Sequence, residues 1–322
     1  MTIFYPSSDI QSDDTCALKY TGSTHSFYNS VHHNNNVIIN NHHEPPYRNH
    51  DIPLQPMIDS TDLYLNNDYP TLKYDLHTNG YLLLRNIIDV KQINNAKNTI
   101  IDTLYQQFGC IQRNDIEAAH NNASQRAYVK HAASDSMILT GYTELQHNST
   151  ILNISQHHTI YGILSKLHNN HAFTTYDNKW IRCIAPNRAT DIHTDYYRFH
   201  QWSENRNIES SMYTVWIPLD HYRSDQHGTL CVCSGSHNYV KQCNYPQFTD
   251  IELPDNFYQH TINHSLQWCT TDFNPGDLVI FDIGLVHCST INHTNEYRIS
   301  IDTRWKLTDS IAIERTHSYI YS

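Results

Sequence analysis

The chain has 322 residues, 39% of them hydrophobic, and a formal charge of −11 from 21 basic and 32 acidic side chains with histidine neutral. That acidic balance repels phosphate backbones and anionic headgroups, which argues against a general nucleic-acid or membrane-surface binder while leaving room for a local basic pocket. No run of 18 apolar residues occurs, and the start lacks a basic n-region and an apolar h-region, so neither a membrane-spanning helix nor a secretory signal is expected.

Residues 1–68 are polar and irregular, with His32-His33-Asn34-Asn35-Asn36 and Asn40-Asn41-His42-His43. We read them as a compositionally biased extension rather than a metal-gathering tract, with Val37-Ile38-Ile39 short enough to pack on the domain behind it. Regular structure is expected from about Leu72. Tyr81 to Arg85 reads as a short buried strand leaving a turn. Asp89 is then an N-cap with Gln92 at N3, and Val90, Ile93, Ala96, Ile100, Ile101 and Leu104 recur at helical spacing to about Gln107. A second amphipathic helix is predicted over 156–168, with Ile160, Ile163, Leu164 and Leu167 on one face. From about 173 the pattern becomes strand-like, over 180–185, 211–219, 229–233, 277–282 and 297–305, punctuated by Pro186-Asn187, Gln226-His227-Gly228 and Asn274-Pro275-Gly276-Asp277. Helices followed by strands argue for an α+β domain over 69–308, with 309–322 as a C-terminal tail.

The eight cysteines are scattered and form no CxxC pair. Cys231 and Cys233, two apart in a predicted strand, share one face. Reduced, mostly buried thiols in a cytoplasmic protein are expected, not a zinc ribbon.

Chemistry concentrates in His193-Thr194-Asp195. In an extended segment residues two apart point the same way, so an imidazole and a carboxylate can reach one ion together. In a chain with 24 histidines such a triplet alone also arises as an ordinary hydrogen-bonded pair. The context changes this. His287 follows the apolar strand Leu278-Val279-Ile280-Phe281 and offers a second imidazole. Two imidazoles and one carboxylate fill one face of an octahedron and leave the other open, which suits Fe(II) oxygenases binding a co-substrate and O2. Arg298 comes eleven residues later on an apolar strand, where its fork is suited to clamping the far carboxylate of 2-oxoglutarate. Ser289 adds a hydroxyl donor.

At these residues the sequence resembles the phytanoyl-CoA dioxygenase family, over roughly 72–305. The matching stretches are Asn79-Gly80-Tyr81-Leu82-Leu83-Leu84-Arg85-Asn86, then Trp216-Ile217-Pro218-Leu219-Asp220 with Gly228-Thr229-Leu230 and Gly235-Ser236-His237. The most specific is Pro275-Gly276-Asp277-Leu278-Val279-Ile280-Phe281, followed by His287-Cys288-Ser289, Asn292 and Arg298. The resemblance implies a double-stranded β-helix, a jelly-roll or cupin-like core flanked by N-terminal helices. It implies iron on His193, Asp195 and His287, and 2-oxoglutarate on Arg298 and Ser289. The long polar N-terminus and segment 108–175, where a substrate lid would be expected, depart from the family.

The reaction so implied oxidises an unactivated C–H bond of a small molecule and releases succinate and CO2. Hydroxylation is the default, with desaturation or oxidative cyclisation open, and Asp195 fills the position that related halogenases leave to chloride. Tyr213 or Thr214 is expected to face the co-substrate, Trp216 to be core and His237 to be a structural turn residue. Arg182, Tyr197 and Arg198, with Tyr196 and His200 nearby, are candidate contacts for a carboxylate-bearing or amino-acid-like substrate. For both arginines the alternative is an ordinary ion pair. Two other readings stay open: a protein hydroxylase or demethylase on the same scaffold, and a catalytically silent cupin-like binding protein.

Overall fold

The structure is a computed structural model and describes residues 28–30, 37–40, 54–107, 136–139, 143–196, 212–242 and 266–311. Tyr197, Arg198 and His200 lie outside the described residues, as does most of the expected N-terminal extension.

The chain enters through strands β1 (Tyr28–Ser30), β2 (Val37–Asn40) and β3 (Gln55–Pro56). Helices α1 (Thr61–Leu65) and α2 (Tyr69–Asn79) then lead into β4 (Tyr81–Leu84) and α3 (Val90–Gln106). Next come β5 (Ser136–Leu139), α4 (Thr143–Gln146), α5 (Ser149–Ser155), α6 (His158–Leu167), β6 (His171–Thr175) and β7 (Trp180–Ile184). The rest is β8 (Met212–Pro218), β9 (Leu230–Cys233), α7 (Ser236–Gln242), β10 (Trp268–Thr270), β11 (Leu278–Asp282), β12 (His287–Ser289) and β13 (Arg298–Ile311).

Among the described residues two sheets form. The larger runs β1-β2-β5-β7-β13-β8-β11-β4, with β6 also on β13, and the smaller runs β12-β9-β10-β3. Strand alternation explains the layers. On β8, Tyr213, Val215 and Ile217 point outward into a core shared with Ile93, Ile100 and Leu104 of α3 and Ile160, Ile163 and Leu164 of α6. Trp216 points the other way and meets Leu83 of β4, Val279 and Phe281 of β11, and Leu230 and Val232 of β9 between the sheets. On β9, Cys231 and Cys233 face outward together, against Val240 of α7 and Cys288. Cys183, Cys231, Cys233, Cys269 and Cys288 are buried and form no disulfide.

Several local expectations change. Helical structure begins at Thr61 rather than near Leu72. The signal for α2 is in its ends: Asp68 accepts from Thr71 N, a proline sits in the first turn, and Gly80 closes the helix at φ +82°. Asp89 caps α3 by accepting from Lys91 N and Gln92 N, but the reciprocal half of a capping box is not made, because Gln92 Oε1 has no partner. His237 is in the first turn of α7 rather than a turn outside it, and its Nε2 donates to the His77 carbonyl, tying α7 to α2. β13 extends to Ile311, well past the predicted end at 305.

Candidate functional site

The site forms where the two sheets face each other. His193 and His287 are directly opposed, each backbone N–H donating to the other's carbonyl at 2.9 Å, and their ring centroids are 4.1 Å apart. His193 Nδ1 lies 2.7 Å from the Asp191 carbonyl and His287 Nδ1 2.9 Å from the Leu285 carbonyl. A carbonyl only accepts, so each Nδ1 carries the proton and each Nε2 keeps its lone pair for a ligand. Burial, with His287 next in effect, holds His193 well below the ordinary histidine value against the opposing pull of Asp195. Burial lowers His287 as well, so both rings stay neutral. His193 is bridged to its partner, but the segment from His193 to Asp195 is not a continuous strand.

Asp195 is 1% exposed. Its Oδ1 accepts from Arg304 Nη2 at 2.6 Å and its Oδ2 from Thr214 Oγ1 at 2.6 Å. Burial pushes its carboxyl upward, but the Arg304 guanidinium above all, with the Thr214 hydroxyl, outweighs that and holds it far below the usual carboxylate range. His193, Asp195 and His287 each offer a ligand atom within 4.8 Å of the others, a group that could hold one metal ion.

A narrow cavity runs from the imidazoles past Trp216, Phe281, Ser289 and Arg298. Arg298 is 2% exposed. Its Nε donates to the Gly228 carbonyl at 2.9 Å and its Nη1 to Ser300 Oγ at 2.5 Å, and its Cζ is 5.8 Å from the Trp216 ring centre. Gly228 has φ +66°, and a Cβ there would lie 3.0 Å from the Thr290 carbonyl, so only glycine lets the chain turn here and present its own carbonyl to the guanidinium. Asn292 shapes the approach to β13 by donating to the Ile184 and Glu296 carbonyls and accepting from Thr294. Burial pushes the Arg298 pKa down to about 10, which leaves it charged at neutral pH. Among the described residues no carboxylate lies within ion-pairing distance of it.

The remaining expected residues find definite places. Ser289 lines the cavity, and its Oγ accepts from Thr190 N at 2.7 Å. Thr214 faces the interior but donates to Asp195, behind the carboxylate. Tyr213 points away into the outer core, hydrogen-bonded to His168 at 2.8 Å. Trp216, expected to be simple core, lines the cavity. Arg182 lines it too, with its Nε on Asp302 Oδ2 at 2.5 Å. Sequence reasoning missed Asp302 and Arg304. The signal was the alternation Arg298, Ser300, Asp302, Arg304 against Ile299, Ile301, Thr303, Trp305, which marks a polar interior face.

Two imidazoles with Nε2 lone pairs and an ionised carboxylate inside a jelly-roll fold, with a buried cation beyond them, are a donor set that suits a divalent metal ion. The chain belongs to the phytanoyl-CoA dioxygenase (PhyH) family, whose profile matches residues 76–300, and its His193-Asp195-His287 group could hold a metal ion. Solved structures share the fold. The epimerase SnoN in complex with Fe3+, alpha-ketoglutarate and nogalamycin RO is 14% identical, with 75% of this chain and 84% of that one covered and a TM-score of 0.52. EctD from S. alaskensis with bound Fe is 14% identical over 76% of this chain and 81% of that one, with a TM-score of 0.52. SnoK, an alpha-ketoglutarate-dependent carbocyclase from nogalamycin biosynthesis, is 15% identical over 78% and 89%, with a TM-score of 0.51. A search of curated proteins finds no match. No helix among the described residues is long and apolar enough to cross a membrane.

Proposed function

We propose that His193, Asp195 and His287 hold Fe(II), that Arg298 binds the far carboxylate of 2-oxoglutarate, and that the substrate is a small molecule oxidised at an unactivated C–H bond. The observation that carries this reading is the pairing of the His-Asp-His cluster with a buried, charged Arg298 that lacks a carboxylate among the described residues. The donor set fits the metal: two Nε2 lone pairs and one ionised carboxylate. The cavity fits the co-substrate. Of the five N–H donors of Arg298, two are used on Gly228 and Ser300, leaving three for a carboxylate. Arg182, Arg298 and Arg304 against Asp195 and Asp302 leave one net positive charge around the site, suited to a bound dianion.

When bound, iron with 2-oxoglutarate and O2 supplies the oxidant and releases succinate and CO2. The chain's residues do the positioning. His193, Asp195 and His287 would hold the metal, Arg298 would fix the diacid's orientation, and Trp216, Phe281 and Leu230 line that end of the cavity with apolar surface. Hydroxylation is the expected outcome. A carboxylate-bearing substrate would meet Arg182, whose pair with Asp302 it must then share.

The test is anaerobic. Protein loaded with Fe(II) should develop a visible charge-transfer absorption when 2-oxoglutarate is added, and His193→Ala or Asp195→Ala should abolish it. A freshly reconstituted wild type without that absorption would favour a silent binding protein. A metabolite screen scored by succinate release then identifies the substrate.

A further inference from the structure

The ladder fixes the two imidazoles but not the carboxylate. His193 and His287 are locked by their reciprocal backbone bonds, whereas Asp195 lies in the bend that follows. Its orientation is set by side chains. Arg304 on β13 and Thr214 on β8 are directly opposed in the ladder between those strands. From that paired position each reaches a different oxygen of Asp195, at 2.6 Å in both cases. Arg304 is itself held: its Cζ stands 4.5 Å from the Trp180 ring centre, and its Nη1 is 3.9 Å from Asp302 Oδ2. Trp180, Tyr196, Met212 and Ile283 form an apolar cluster, and Arg304, 1% exposed, has no route for its charge to water.

A buried ion pair adds little stability over well-packed apolar side chains, so its effect on Asp195 is the more informative consequence. An ionised carboxylate has about four lone-pair positions. One on each oxygen is taken by a donor, so any rotation of the carboxylate breaks at least one of these two bonds. The geometry points to Arg304 and Thr214 as a clamp that fixes the orientation in which Asp195 presents its remaining lone pairs to a metal, with Arg304 the principal positioning residue of the site. The inference rests on the metal reading above.

The test uses the full-length apo-protein titrated with Co(II), comparing wild type with Arg304→Gln, Arg304→Lys and Thr214→Val. Circular dichroism and thermal melting establish that each is folded. Loss of such an outer partner typically weakens metal binding by about 10–100-fold. Arg304→Gln should show that loss together with a changed visible Co(II) spectrum, as the released carboxylate alters its orientation toward the metal. Arg304→Lys should recover part of the affinity, and Thr214→Val should show a smaller loss in the same direction. Folded position-304 variants with wild-type affinity and spectrum would overturn the assignment. So would failure of both position-304 variants to fold, which would make Arg304 a determinant of the fold instead. If wild type bound no Co(II), the metal reading itself would fall, an outcome distinct from a binding wild type with unchanged variants.

Discussion

Arg298→Lys keeps a buried cation beside Trp216 and removes the guanidinium fork. In the native cavity, Nε and Nη1 are anchored to Gly228 and Ser300, and the other three donors are available to a carboxylate. A lysine ammonium would have to satisfy the same anchors and the ligand with three donors on one nitrogen. The ligand therefore loses at least one charge-assisted hydrogen bond, about 1.5–3 kcal/mol, or roughly 10–150-fold in affinity. Arg298→Ala removes both arms of a bidentate grip, about 3–6 kcal/mol, and should weaken 2-oxoglutarate more than 100-fold. Iron should be retained in both, because Arg298 touches none of the three ligands. Anaerobic titration of 2-oxoglutarate into the Fe(II)-loaded variants, followed by visible absorption, measures these constants. Wild-type affinity in Arg298→Ala, with iron bound, would refute the clamp.

Other outcomes follow from the same geometry. Asp195→Ala should abolish metal binding and lower apo-protein stability by about 3–5 kcal/mol, because it leaves the Arg304 cation buried without its main partner; His193→Ala should abolish metal binding with a smaller stability loss, and equal losses in denaturant unfolding would contradict this. Gly228→Ala should destabilise by about 1–3 kcal/mol through its φ of +66° and the crowding at Thr290, and should also weaken 2-oxoglutarate by displacing the carbonyl that holds Arg298. Lys179 is buried with its ammonium on the Tyr176 and Asp177 carbonyls, and burial pushes its pKa down to about 8. The unfolded chain binds this proton more tightly than the folded one, so the contribution of Lys179 itself to stability should be level below pH 8 and rise from about pH 8 towards 10, on top of the opposite trend from buried thiols and phenols such as Cys233 and Tyr81. Lys179→Met should remove that contribution from urea midpoints taken across the interval, and an unchanged slope would count against it.

How far the site was legible depended on whether a residue's role was local. His193, Asp195 and His287 could be paired by their residue types, and Arg298 by its position after the third ligand on an apolar strand. The short strands β5, β10 and β12 carry too few residues for a periodic signal and exist because β7 and β9 present them with edges. Helix α2 escaped notice because it buries only Leu72 and Leu76, although its Asp68 and Gly80 ends were readable. Arg304 and Asp302 were missed for a different reason. Charged side chains alternating along a strand ordinarily face water, but here that face lines the interior between two sheets, and only the pairing of β13 with β7 and β8 reveals the inversion. Thr214 likewise gains its meaning from lying opposite Arg304.

The most direct measurement is anomalous diffraction from crystals grown anaerobically with Fe(II) and 2-oxoglutarate. The account predicts one iron peak within coordination distance of His193 Nε2, His287 Nε2 and the Asp195 carboxylate, with the far carboxylate of 2-oxoglutarate on Arg298. An iron peak elsewhere, or a diacid whose far end avoids Arg298, would contradict it.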